Sequence, residues 1–85
     1  MSSINKVVLV GNLGRDPESK QTQSGRTITT FSVATSERWS DKDGNRQERT
    51  EWHNIKAFGP VGDICARFLR RGSKVYVEGR LESRE

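Results

Sequence analysis

Three aromatic rings and three cations in the middle of this sequence have the chemistry of a binding surface: Trp39, Trp52, Phe58, Arg38, Arg49 and Lys56. Unpaired bases stack on exposed rings at roughly 1–3 kcal/mol each, whatever the base, and nearby cations attract the phosphates. Rings interleaved with cations therefore indicate a surface for single-stranded nucleic acid.

Residues 50–58 alternate at the period of a β-strand. One face then carries Trp52, Asn54, Lys56 and Phe58, and the other Glu51, His53, Ile55 and Ala57. The competing interpretation, that the two rings point into the core, would also bury Lys56, and an unpaired buried cation is costly. Since Ile55 and Ala57 already supply an apolar side, we expect the rings to lie outside.

Further basic residues are candidates for phosphate contact from charge and placement alone: Lys6, Arg15, Arg71 and Lys74. Each could equally belong to a solvated face. Within residues 37–49 the acidic and basic side chains cancel, so we expect a mobile hairpin there rather than a source of long-range attraction.

Length and composition limit the whole molecule. With 85 residues, of which 31% are hydrophobic, the chain forms one domain with a modest core, and such a chain gains from self-association. The net charge of +4 suits an anionic partner. No apolar run reaches membrane-spanning length, and residues 1–6 lack signal-peptide character, so we expect a cytoplasmic protein without a membrane partner.

Catalytic and metal-binding chemistry finds little support. The single cysteine, Cys65, excludes an internal disulfide, and together with the single histidine, His53, it leaves no plausible zinc site. No nucleophile stands with a base, so we expect neither enzyme activity nor a cofactor.

Glycine and proline divide the remaining apolar segments into strands. The first predicted strand covers residues 4–10, and its four consecutive apolar residues indicate a central strand that is either covered on both faces or curled within a barrel. Residues 18–25 are polar and aperiodic, and residues 26–36 form the second strand. Asp43-Gly44-Asn45 is a turn signal that joins it to the third strand, residues 50–58.

The period changes after Phe58. Apolar residues recur at helical spacing: Val61, Ile64, Cys65, Phe68 and Leu69. Pro60 suits the first helical turn, Arg70 the last, and Gly72 a C-terminal cap. Residues 74–81 then alternate as a fourth strand with Val75, Val77 and Leu81 inside.

The predicted order is thus β-β-β-α-β. The chain is all-β with one helix, and this wiring is that of the five-stranded oligonucleotide-binding (OB) Greek-key barrel, with the final strand missing. We expect residues 1–85 to be a single, incomplete OB domain.

Four segments carry a family resemblance: residues 5–17 (NKVVLVGNLGRDP), 31–36 (FSVATS), 50–53 (TEWH) and 72–79 (GSKVYVEG). In this order and spacing they resemble the amino-terminal domain of bacterial single-stranded DNA-binding proteins. The resemblance covers nearly the whole chain.

The resemblance implies a homotetramer of OB folds that wraps single-stranded DNA during replication, recombination and repair in the bacterial cytoplasm, associated with the nucleoid. It assigns base stacking to Trp39, Trp52 and Phe58 and subunit contacts to His53 and Tyr76. We expect both His53 and Tyr76 to point away from the rings. For His53, a hydrogen bond within its own barrel is an equally good interpretation.

The sequence also departs from the family. It ends where the family continues into a last hairpin and strand, so closure of the barrel is in doubt, and an unpaired sheet edge invites other pairings. The acidic tail through which family members recruit replication and repair proteins is absent from these residues, which suggests a truncated form.

Two alternative functions stay open. One is an OB-type primosome adaptor that acts mainly through protein contacts, against which the outward rings count. The other is a cold-shock-like RNA binder, whose clustered aromatic and glycine motifs are not visible here.

Overall fold

Antiparallel strands make up most of residues 3–83, the part of the chain that this computed structural model describes. The elements are β1 (Val7–Leu13), β2 (Glu18–Gln21), β3 (Thr27–Ser40), β4 (Arg46–Phe58), α1 (Gly59–Phe68) and β5 (Lys74–Gly79). The predicted domain of residues 1–85 extends at each end to two residues outside the described range: Met1, Ser2, Arg84 and Glu85.

Strand β3 organises the sheet. One of its edges pairs with β4 from Ile28 opposite Phe58 to Ser40 opposite Arg46. Its other edge pairs first with β2 and then, at Val33 and Ala34, with β1, which continues the sheet to β5. β1 therefore lies between β3 and β5, in the central position predicted for it.

The core lies on one face of this sheet, beneath the helix. Four hydrophobic residues are buried there: Leu13, Phe31, Val33 and Ala57. Half-buried residues pack against them from β4, α1, the following turn and β5: Ile55, Cys65, Leu69, Val75 and Val77. Ile55 and Ala57 thus face inward, as the alternation of residues 50–58 predicted.

A buried hydroxyl joins three elements across this core. Thr29 on β3, which is fully buried, donates a hydrogen bond to the Gly62 carbonyl of α1 at 2.8 Å. The Ser19 hydroxyl on β2 lies 3.3 Å from the same Thr29 oxygen. Gly62 itself fits only because it has no β-carbon, which would lie 2.6 Å from the Ala57 carbonyl oxygen. Thr29 therefore sets the height at which the helix crosses β3.

Of the two arrangements predicted for β1, coverage on both faces was wrong. Val8 and Val10 are about half exposed, and Val10 pairs with Tyr76, which is 65% exposed. Their shared side of the sheet is opposite the core, and the helix packs only on the core side. The apolar run of residues 7–10 therefore consists of side chains that face the core and side chains that form an apolar outer face.

Strand bounds also differ from those predicted. β2 forms within residues 18–25, which showed no period, because an edge strand needs only backbone pairing and its side chains are all exposed. β1 starts and ends three residues later than predicted. Gly11 continues the strand because it lies against the Ala34 carbonyl, where a β-carbon would collide.

The helix ends earlier and buries less than predicted. Its C-terminal cap is Leu69, and Gly72 lies in the following turn, where its N–H bonds to the Leu13 carbonyl. Arg70 does complement the helix end, since its guanidinium donates to the Ala66 and Leu69 carbonyls. Val61, Ile64 and Phe68 are exposed because α1 packs on β2, β3 and β4 alone.

The sheet does not close into a barrel within residues 3–83. Among the described residues, β4 pairs only with β3, and β5 pairs only with β1. Leu81, predicted to be in the core, is 66% exposed, because β5 ends at Gly79 and the backbone of Leu81 is held instead by the Asn5 side chain.

Replacing the buried hydroxyl should destabilise the fold. Thr29→Val keeps the shape but leaves the Gly62 carbonyl without its donor, so we expect a loss of about 1–3 kcal/mol in the free energy of unfolding, measured by urea denaturation. Thr30→Val is the matched control, since Thr30 is exposed on the same strand. Equal stability of the two variants would contradict this role for Thr29.

Candidate nucleic-acid interface

The outer face of β3 and β4 carries the aromatic and basic side chains that the sequence placed together. Trp52 is 59% exposed and Phe58 is 40% exposed, and Lys56 lies between them. On β3, small residues lie opposite two outward-facing residues of β4: Ala34 is opposite Trp52, and Ser32 is opposite Asn54. Because nothing large stands opposite it, the Trp52 ring is accessible to a flat ligand.

A cleft opens beside Trp52. It measures about 480 Å³ and is lined by Trp52, Gly14, Arg15, Ser32 and Asn54. Gly14 belongs to the turn after β1, and its N–H bonds to the Ser32 carbonyl at 3.2 Å, which brings Arg15 to the edge of the cleft. The arrangement offers one ring for stacking, one cation and two polar side chains.

Phe58 has a basic neighbour that sequence reasoning missed. The Arg26 guanidinium lies 5.1 Å from the centre of the Phe58 ring, within the range of a cation–π contact. Arg26 immediately precedes β3 and Phe58 ends β4, so only the pairing of Ile28 with Phe58 brings them together. A base that stacks on Phe58 would therefore meet a cation at its edge or displace it.

Trp39 lies on the other face of the β3–β4 ladder. It pairs with Gln47, two positions beyond the pair of Glu37 and Arg49. Both pairs are an even number of residues from the pair of Val33 and His53. They therefore lie on the face of Val33 and His53 and not on the face of Ala34 and Trp52. Trp39 is 47% exposed, because the hairpin extends past the core. The structure thus separates Trp39 and Arg49 from the surface that holds Trp52, Lys56, Phe58 and Arg38.

Several of the candidate cations already have acidic partners. Arg38 lies 3.6 Å from Glu48, Arg49 lies 2.6 Å from Glu51, and Lys6 lies 2.7 Å from Glu78. All these pairs are exposed, where each is worth little to stability and yields readily to a phosphate. Among residues 3–83, no acidic side chain pairs with Arg15, Lys56, Arg71 or Lys74.

The remaining candidate cations lie away from Trp52. Lys74 is on the same sheet face but stands across β1 and β3 from Trp52, through the pairs with Asn12 and Ala34. The Arg71 backbone N–H bonds to Asp16 in a neighbouring turn. Lys6 directly precedes β1, at the end of that strand far from Asn12.

His53 and Tyr76 occupy different faces. His53 is half buried on the core face, where its Nε2 lies 2.9 Å from the Thr35 hydroxyl. Tyr76 is on the outer face, and the register through Val10 and β1 places it on the same side as Trp52. The expectation that Tyr76 points away from the rings was wrong, because β5 pairs with β1 in a register that aligns Lys74, rather than a core residue, with Asn12.

The tip of the β3–β4 hairpin is organised by one carboxylate. Asp41 accepts hydrogen bonds from the backbone N–H groups of Asp43 and Asn45, both at 2.9 Å, and from the Gln47 side chain at 3.2 Å. Chiefly the bond from Asn45 lowers the pKa of Asp41 below its ordinary value. These bonds close the tip as a turn, and its mobility stays a prediction.

The described residues hold no cluster of three or more His, Cys, Asp or Glu side chains placed to bind a metal ion. No helix between residues 3 and 83 has the length and apolar character needed to span a membrane.

Comparison with solved structures defines the class of fold. The structure described as Plasmodium falciparum SSB complex with ssDNA superposes with a TM-score of 0.92 at 36% identity, covering 99% of this chain and 75% of that chain. A deletion mutant of the Thermus aquaticus single-stranded DNA-binding protein gives a TM-score of 0.83 at 29% identity, over 93% and 38%. The predicted OB fold is confirmed, with the difference that the sheet is not closed.

The family is shown by the sequence. Residues 4–85 match the single-strand binding protein family, and the chain belongs to that family. The single-stranded DNA-binding protein of Xylella fastidiosa is 60% identical over 92% of this chain, and that of Chlorobaculum tepidum is 53% identical over 95%. The chain spans about half the length of these relatives, 48% and 50% respectively.

The Asp41 turn at the tip of the β3–β4 hairpin should loosen in acid. A carboxyl whose pKa is lowered by folding stabilises the native turn at pH values above its unfolded pKa of about 3.8, and that contribution is lost as the pH falls through the lower, folded value. We expect the Asp43 and Asn45 amides to exchange faster at the lowest pH, after correction for intrinsic rates. In Asp41→Asn this dependence should vanish, while Asp43→Asn should retain it. A dependence that survives in Asp41→Asn would contradict the assignment.

Proposed function

We propose that this chain binds single-stranded DNA without sequence preference, through base stacking on its aromatic side chains and phosphate contacts to its basic ones. The observation that carries the proposal is the exposed Trp52 ring beside a cleft edged by Arg15. Support comes from the Plasmodium falciparum structure, a complex with single-stranded DNA that covers nearly the whole of this chain.

The outer face gives the strand a path. The bases stack on Trp52 and Phe58, which lie six residues apart on β4, a separation of roughly 20 Å in an extended strand. Lys56, between the rings, and Arg15, at the cleft, take the phosphates. Because every base has a π face, such a surface tolerates any sequence.

Trp39 and the remaining cations form a second part of the surface. The hairpin presents Trp39 and Arg49 on its opposite side, and Arg38 on the side of Trp52. Lys6, Arg71 and Lys74 lie toward β1 and β5. A strand that uses all of them has to pass around the protein rather than along one face, which is consistent with wrapping.

We propose further that the chain assembles as a homotetramer. Val8, Val10 and Tyr76 form an exposed apolar patch on β1 and β5. A chain of 85 residues gains from covering it, because only four hydrophobic residues are buried within residues 3–83. The role of His53 in assembly stays a prediction, since its ring is half buried and bonded to Thr35.

The biological setting follows from the family. Residues 1–85 would be a single DNA-binding domain that protects single-stranded DNA in replication, recombination and repair, without catalysis, in the bacterial cytoplasm and nucleoid. Contacts with replication and repair proteins would belong to further parts of a longer protein. No observation on the described residues favours the primosome adaptor.

Removing the Trp52 ring should weaken binding. Trp52→Ala is expected to lose roughly 1–3 kcal/mol in affinity for poly(dT) with little change in the salt dependence, because stacking involves no counterion release. Titration followed by fluorescence anisotropy of a labelled oligonucleotide measures both. Val61→Ala, at an equally exposed apolar position on α1, is the control. Unchanged affinity in Trp52→Ala would reject the proposal.

Lys56 should act through charge. Lys56→Ala is expected to reduce the slope of log affinity against log salt by about 0.7, the value for one phosphate on a single strand, and to weaken all sequences alike. Lys42→Ala removes the same charge from the hairpin tip and serves as the comparison. A base-dependent loss, or a slope identical to that of the parent protein, would exclude the phosphate contact.

The apolar patch should govern assembly. Val10→Glu places a charge opposite Tyr76 and is expected to lower the mass measured by light scattering below that of the parent chain. Val61→Glu introduces the same charge on the exposed side of α1 and should leave the mass unchanged. If both variants keep the parent mass, assembly does not use the β1–β5 face.

A further inference from the structure

The Trp52 ring rests in a space that exists only because residue 14 is glycine. A β-carbon on Gly14 would lie 2.8 Å from Cη2 and 3.5 Å from Cε3 of the indole, and closer still to Cζ3. Carbon atoms that are not bonded do not approach within 3.0 Å in real side chains, so ring and β-carbon cannot occupy these positions together.

Conformation does not account for the glycine. The glycines with positive φ are Gly25, Gly44, Gly59 and Gly72, and Gly14 is not among them. Its backbone is held by the N–H bond to the Ser32 carbonyl, which an alanine would keep. What Gly14 contributes is therefore space, and the group that uses this space is the indole of Trp52.

We propose that Gly14 is a positioning residue for Trp52. By admitting the indole against the turn after β1, Gly14 fixes the ring as one wall of the cleft that also contains Arg15, Ser32 and Asn54. This inference rests on the proposed function, since it assigns Gly14 a role in DNA binding only through the stacking on Trp52.

The physical argument is one of pre-organisation. Trp52 is 59% exposed, and an unsupported exposed ring samples several rotamers and loses that freedom on binding a base. Contact with the Gly14 backbone limits the ring to one orientation before DNA arrives. Adding a methyl group at residue 14 pushes the ring outward, which changes both the orientation and the width of the cleft.

Gly14→Ala tests the inference in a folded protein. The group that must move is the end of a half-exposed side chain, so the thermal unfolding midpoint should stay close to that of the parent chain. Gly79→Ala is the matched control, because a β-carbon there meets nothing within 4 Å and the φ of Gly79 is not positive.

Displacement of the ring should cost affinity for poly(dT). We expect Gly14→Ala to bind about 2- to 10-fold more weakly than Gly79→Ala, since a gap of roughly 0.5–1 Å between ring and base forfeits about a quarter to a half of the stacking contact. In a Trp52→Ala background, Gly14→Ala should cause no further loss, because there is no ring left to displace.

A measurement without DNA tests the contact between Gly14 and Trp52 separately from the proposed DNA binding. In the parent protein, nuclear Overhauser contacts should join the Gly14 α-protons to the Trp52 ring, and these protons should shift in Trp52→Ala through loss of the ring current. Absence of both signals would overturn the inference, whether or not Gly14→Ala folds.

The binding outcomes are equally distinct. If Trp52→Ala weakens binding but Gly14→Ala matches Gly79→Ala, the inference is wrong and the proposed function stands. A loss in Gly14→Ala that persists in the Trp52→Ala background would also overturn it. If Trp52→Ala binds like the parent chain, the proposed stacking fails first and the role of Gly14 fails with it.

Discussion

The long antiparallel pairing of β3 with β4 is the constraint on which the rest of the structure depends. Its register runs without interruption from Ile28 opposite Phe58 to Ser40 opposite Arg46. Because strand side chains alternate, this one register sends Phe31, Val33 and Ala57 into the core and Trp52, Lys56 and Phe58 outward. A shift by one residue would exchange the core for the candidate binding surface, so the fold and the candidate site depend on the same pairing.

Elements on either side of this ladder adapt to it through glycine. Gly62 lets α1 sit close to β3 and β4, where Thr29 can reach its carbonyl. Gly14 lets the Trp52 ring lie against the turn after β1. In both places the absent β-carbon permits a close approach, beneath the sheet for packing and above it for the candidate site. The apolar residues left exposed on β1, β5 and α1 mark the sides on which the described chain has no partner element.

Electrostatics divides the basic residues more finely than their number suggests. The net charge is +4, yet Arg38, Arg49 and Lys6 are each beside a carboxylate, whereas no ion pair within residues 3–83 involves Lys56 or Arg15. Lys56 lies between Trp52 and Phe58 on β4, and Arg15 lines the cleft. Exposed ion pairs are weak, so a phosphate can displace the carboxylates, and the three paired cations remain candidates for phosphate contact.

The sequence by itself determined the elements whose signal is local: the alternation of residues 50–58, the helix opened by Pro60 and the hairpin turn at Gly44. Period and turn chemistry depend on neighbours in the chain, and so do the family motifs. Only the tertiary structure decided what depends on partners distant in sequence. Register placed Trp39 on the face opposite Trp52, and it placed Tyr76 on the same face as Trp52. Backbone pairing made polar β2 a strand. Phe68 is exposed because α1 packs on β2, β3 and β4, and Leu81 is exposed because β5 ends at Gly79. Burial and facing are properties of the assembled sheet, so no window along the chain contains them.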